Sequence, residues 1–180
     1  MPHVAAHESM VELARALWTL APKFVSWVIS FATVCVIWLN HHRLFAIVRR
    51  IDNGLFWLNA NLLLWTSFIP FPTAVMGDYP TNRLAVPFYG WVMFLMAIGF
   101  VLVRWHLHRH PGLLQEDVDR AAFRTGTRYS VVMGPLAYAI GAGLAWVSHV
   151  GAFVCYGAIA LYFVLPHSMR GAPLSGRTRP

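Results

Sequence analysis

The sequence predicts an all-α polytopic membrane bundle of about five transmembrane helices, with its N-terminus outside and its C-terminus cytoplasmic. Composition, the spacing of apolar runs and the placement of basic residues carry this expectation. Of the 180 residues, 58% are hydrophobic and 12% charged, against about 45–50% and ~25% in soluble domains. One globular core could still bury much of that surface, so the distribution along the chain decides.

Five runs, at residues 17–39, 55–76, 84–103, 129–147 and 150–165, approach or reach the ~20 residues a helix needs to cross a bilayer core. Their interiors hold no Asp, Glu or Arg, and Lys23 lies near one end, where its stem can snorkel to the interface. Buried helices of a soluble bundle would instead carry polar faces with i, i+4 charge pairs. Ser148, His149 and Gly151 mark a tight turn, so the last two runs are predicted to form a hairpin.

Orientation follows from Lys and Arg, which are retained on the cytoplasmic side. Arg43, Arg49 and Arg50 follow the first run, Arg104, Arg109, Arg120, Arg124 and Arg128 separate the third and fourth, and Arg170, Arg177 and Arg179 follow the fifth. The other side receives Arg15, Lys23 and Arg83. This asymmetry accounts for the net charge of +7, and no nucleic-acid surface is inferred from it.

Residues 1–16 lack the basic n-region of a secretory signal. They are predicted as an amphipathic segment at the outer interface, leading through Pro22 into the first span. Residues 17–167 form the expected transmembrane domain. Residues 168–180, rich in Gly, Pro, Arg and Ser, are expected to be a disordered basic cytoplasmic tail beside anionic lipid.

Little in the chain points to chemistry. Cys35 and Cys155 fall within spans and are expected to pack as small apolar residues. His106, His108 and His110 alternate without a neighbouring cysteine or an H-E-x-x-H pattern, so no metal site is assigned. A transmembrane haem would need facing histidines at membrane depth, whereas His41, His42 and His106 lie at inner ends and His149 at the outer turn. No nucleophile–base constellation and no intramembrane carboxylate is present. No catalytic residue, cofactor or enzyme activity is therefore expected. Ser26, Ser30, Thr33, Asn59, Asn61, Thr66 and Ser67 are expected to bond between helices, and Ala137, Gly141 and Ala145 form a small-residue face for close packing.

One segment is more specific. It carries Ser30-Phe31, a W-x-N-H-H-R-L-F pattern at residues 38–45, R-x-D at 50–52, W-L-N at 57–59 and F-x-P-F-P-T at 68–73. These elements, in this order, resemble the transmembrane protein 175 family of potassium channels. The resemblance implies an oligomeric pore lined by a helix that precedes this segment and bears R-x-x-x-F-S-D-G. The 180 residues contain no F-S-D-G and no sixth apolar run. The region of likeness begins at the family's second helix, with residues 1–22 matching the outer connection. A shortened member and a start assigned downstream of the true one are both compatible with this.

The resemblance also implies an inter-helix network of Trp38, Asn40, His41, His42, Arg43, Asp52 and Asn59 at the cytoplasmic interface, with the ion pathway unassigned. The expected function is that of a potassium-channel-family protein of the bacterial plasma membrane. Its expected partners are the lipid bilayer, potassium ion and either further copies of itself or a longer paralogue. Conduction by this chain alone would require another helix to line the pore. The alternatives are a non-conducting scaffold or accessory subunit and, more remotely, a metal- or haem-binding redox protein.

Overall fold

Prolines and side-chain caps set where the helices of this chain begin and end. The computed structural model describes residues 10–164, apart from the side chains of residues 21–23, 25 and 26. Helix α1, Met10–Thr19, buries none of its residues. Helix α2, Ala21–Phe45, follows with a proline in its first turn, where a missing N–H costs nothing. The Asp52 carboxylate caps α3, Asn53–Phe68, by accepting the Leu55 N–H at 2.7 Å. Asn82 accepts the N–H groups of Leu84 and Ala85 at the start of α5, Ala85–Arg109. Asp119 does the same for Ala121 and Ala122 at the start of α6, Arg120–Val131.

Two of the expected spans are interrupted by proline. The run at 55–76 divides at Pro70 into α3 and α4, Pro70–Asp78. Pro70 has no N–H to continue the ladder, and Ile69 instead donates to the Thr66 carbonyl in a tightened turn. The run at 129–147 contains Pro135. There the chain widens into a π-helical turn, Val132–Leu136, before resuming as α7, Ala137–Leu144. The final helix, α8, is His149–Val164. Taken singly, α2 over Trp27–Phe45 and the whole of α5 are long and apolar enough to cross a bilayer, while α8 is apolar but shorter. Helix α5 also runs past residue 103. Arg104, expected in a connecting loop, lies within the helix and is 5% exposed.

Helix α5 is the centre of the bundle, packed against α3, α4, α6 and α7, while α2 packs on α4 and α8, and α7 on α8. Its contacts depend on glycine. A Cβ at Gly99 would lie 3.2 Å from the Leu62 backbone on α3. Tyr156 of α8 spans two further gaps. Its ring would meet a Cβ at Gly141 at 2.6 Å, and its hydroxyl occupies the space a Cβ at Gly90 would need. That hydroxyl donates to the Val86 carbonyl at 3.2 Å. Gly141 and Ala145 of the predicted small-residue face are buried, and the Ala137 carbonyl accepts the Cys155 thiol at 3.6 Å. Both cysteines are free.

Outward, large apolar side chains including Trp27, Phe31, Trp57, Leu64 and Phe71 are more than half exposed. A bundle that presents such a surface suits a lipid solvent, which satisfies apolar side chains but not backbone groups. At one end the α2–α3 and α5–α6 connections clasp each other. Val48 bridges Leu114, Arg49 N–H donates to the Leu113 carbonyl at 2.7 Å, and Gln115 N–H donates to the Ile47 carbonyl at 3.0 Å. Arg49 also pairs with Glu116.

Gly90→Ala is expected to lower unfolding free energy by about 1–3 kcal/mol, the usual penalty of overpacking. The loss should shrink in a Tyr156→Phe background, where the obstructing hydroxyl is gone. Denaturant series in detergent on the four proteins measure this, and equal losses in both backgrounds would contradict the packing.

Candidate functional site

Helical spacing distributes the motif at the end of α2 over different faces. Trp38 and His42, four residues apart, share the outer one. Trp38 is 62% exposed and stacks on the His42 imidazole with centroids 5.4 Å apart. Asn40 points inward and is 4% exposed. Its amide donates to the Val36 carbonyl of its own helix at 2.8 Å and to the Phe163 carbonyl of α8 at 3.2 Å. His41 takes a third direction. Its ring stacks on Phe45 at 4.4 Å, and its Nε2 donates to the Asn59 amide oxygen on α3 at 2.7 Å. The imidazole proton is therefore assigned to Nε2.

Arg43 is half-buried, and its Nη1 has no hydrogen-bond partner among the described residues. The same holds for Ser30 Oγ and Asn40 Oδ1, so three of the four such atoms sit on α2. Asn40 also lines a cavity of about 60 Å³ together with Thr33, Met96, Phe100, Arg104 and Tyr138.

Asp52 does not meet the N-H-H-R residues. Besides capping α3, its carboxylate accepts His106 Nε2–H of α5 at 2.9 and 3.0 Å. The Leu55 N–H, and after it the His106 imidazole, hold its pKa below the usual carboxylate range. The imidazole reaches this position because residue 54 is glycine. A Cβ there would lie 2.6 Å from His106 Cε1. His110, the residue that caps the C-terminus of α5, tilts against His106 with centroids 4.3 Å apart, and its Nδ1 donates to the His106 carbonyl at 3.0 Å. The alternating histidines are thus not one set. His106 and His110 share a face, and the exposed His108 lies on another.

Arg104 is a buried part of this end of the bundle that the sequence reading placed in a loop. Its Nε donates to Thr127 Oγ1 at 3.2 Å, its Nη2 to the Phe123 carbonyl at 3.4 Å, and its guanidinium lies 4.8 Å over the Phe123 ring. The available signal was Pro111-Gly112, which marks the true helix end five residues after that first charge.

These contacts join helices and present donors. They assemble no nucleophile with a base. Residues 2–70 match the family model described as endosomal/lysosomal potassium channel TMEM175. Over 155 residues the chain is 35% identical to a potassium channel of Streptomyces collinus, covering 84% of this chain and 75% of that one. The chain belongs to the TMEM175 family. A second TMEM175 relative, a potassium channel of Chamaesiphon minutus, is 33% identical over 159 residues, 86% of this chain and 77% of its own length. The crystal structure of a lysosomal potassium-selective channel TMEM175 homolog from Chamaesiphon minutus superposes with a TM-score of 0.68 at 31% identity, covering 88% of this chain and 80% of that one. TMEM175 is an ion-channel family rather than an enzyme family, and membership makes this chain a membrane protein.

His41→Ala and Asn59→Ala should each destabilise the bundle by about 1–2 kcal/mol, since each strands a polar partner. The pair should be coupled by about 0.5–1.5 kcal/mol in a double-mutant cycle. Additive losses would show that the His41–Asn59 bond does not join α2 to α3.

Proposed function

We propose that this chain is a subunit of an oligomeric potassium-permeable pore in the plasma membrane of a bacterium. The observation that carries this reading is its likeness, over 88% of its length, to the Chamaesiphon minutus channel homolog. A hydrophobic pore that gates by dewetting has to be enclosed by several subunits. The chain would cross the bilayer five times, as α2, α3–α4, α5, α6–α7 and α8. Clasping the α2–α3 and α5–α6 connections puts Arg49 and Arg50 on the same side as Arg109 and Arg120. The positive-inside rule makes that side cytoplasmic, with the N-terminus outside and the C-terminus inside.

Within this reading residues 17–167 are the membrane unit and residues 1–16 lie at the outer interface. The basic tail at 168–180, outside the described residues, faces the cytoplasm. Asn40, His41, Asp52 and Asn59 hold the protomer's own helices. Trp38, His42 and Arg43 present an aromatic face and free donor capacity to a neighbouring subunit.

The full chain, purified in detergent and reconstituted in vesicles, is expected to be oligomeric by native mass spectrometry and to carry potassium flux above empty vesicles. A monomer without flux sinks the proposal, and an oligomer without flux favours a non-conducting accessory subunit. His42→Ala should reduce oligomer content or flux severalfold while shifting protomer stability by less than about 0.5 kcal/mol, as surface changes usually do. A normal oligomer with normal flux would remove His42 from the interface.

Topology has its own test. In a chain freed of Cys35 and Cys155, an impermeant maleimide should label Asn82→Cys in intact cells and Asp117→Cys only after lysis. The reverse pattern would invert the orientation.

A further inference from the structure

We propose that Asp52, His106 and His110 form a binding site for a divalent transition ion of the zinc or cobalt type. This inference is independent of ion conduction. One ligand atom from each of the three residues lies within 4.8 Å of the others. His106 comes from the last turn of α5 and His110 from the residue that caps its C-terminus, and the third ligand from the α2–α3 connection 54 residues away in sequence from His106.

Two of the three ligands are held by bonds that leave coordinating capacity free. His110 Nδ1 donates to the His106 carbonyl, which fixes the tautomer and leaves the Nε2 lone pair available. Asp52 Oδ1 is anchored by the Leu55 N–H, and the carboxylate retains further lone pairs. His106 is seated against Gly54 with Nε2 turned toward the carboxylate. A zinc-type ion takes nitrogen and oxygen ligands at about 2.0–2.2 Å. Tetrahedral ligands at those lengths lie about 3.3–3.4 Å apart, so the 2.9 Å Asp52–His106 contact opens by a few tenths of an ångström and His110 turns in to close the site. His110 is exposed, which gives it that freedom and the ion a path of entry.

Coordination takes the His106 Nε2 lone pair, so the ring proton moves to Nδ1, the imidazole stays neutral, and the Asp52–His106 hydrogen bond is replaced by a bond from each residue to the ion. Two imidazoles and one carboxylate favour zinc, cobalt, nickel or copper over magnesium and calcium, which prefer oxygen. Three protein ligands leave a position for water. A bound ion would tie the start of α3 to the end of α5.

The test uses the full chain without an affinity tag, in detergent. Cobalt should give a saturable visible absorption at one equivalent, displaced by zinc, and zinc should raise the thermal midpoint. Asp52→Asn and His110→Ala should each weaken binding by about tenfold or more, and His108→Ala should leave it unchanged. Because His110 is exposed and the Asp52–His106 bond survives its removal, His110→Ala should keep the metal-free midpoint of the parent protein. That separates loss of a ligand from loss of the fold. Binding unaffected by His110→Ala, binding lost equally in His108→Ala, or no saturation below about 1 mM would each overturn the site.

Discussion

Close backbone approach around α5 is the constraint on which the bundle rests. Lipid tails are as apolar as leucine, so helices in a membrane gain little from hiding apolar side chains and are held by packing and inter-helix hydrogen bonds. The glycines at 90, 99 and 141 meet that need directly. Leu62 fits against Gly99, and one tyrosine, Tyr156, fills the spaces opened by Gly90 and Gly141 while bonding the Val86 carbonyl. Three helices therefore share one side chain. Further polar contacts, Asn40 to Phe163, His41 to Asn59 and Asp52 to His106, add hydrogen bonds between helices to this packing.

Polar residues at the basic end fall into two classes of work. Asn40, His41, Asp52, Asn59, Arg104 and His106 spend their hydrogen bonds inside the protomer. Trp38 and His42 stack on each other at the surface, and the half-buried Arg43 has a donor without a partner among the described residues. Leaving a buried guanidinium nitrogen unbonded is costly, and it lies on the helix whose outer face is richest in exposed aromatic surface, with Trp27, Phe31 and Trp38 in succession. Bonds within the protomer and outward-facing aromatic surface thus come from neighbouring residues of one motif, separated only by helical phase.

The helical class, the membrane setting and the family were legible in the sequence because they rest on composition and on a contiguous motif. Helix continuity was not. Hydropathy averages over Pro70 and Pro135, since a proline within an apolar run scarcely lowers its mean, yet each removes a backbone donor and interrupts the ladder. Arg104 was misplaced for a related reason. A charge after an apolar run reads as an interface, and the Thr127, Phe123 and aromatic contacts that make its burial tolerable come from 19 and 23 residues away. For the candidate site, the residues of the motif could be named, but their partners could not. Asp52 finds His106 across 54 residues, and nothing local distinguishes His106 and His110 from His108 except the turn of the helix.

The proline interruptions and the clasp have a joint mechanical meaning. Both α3 and α6 begin beside the clasped connections, so Pro70 and Pro135 stand roughly 26 Å and 23 Å along their helices from that end, at 1.5 Å per residue. Widened or tightened turns are the places where helices bend. Each interrupted span is thus a two-part post, with α3 and α6 rising from the clasped basic end and α4 and α7 continuing past the joints against α5.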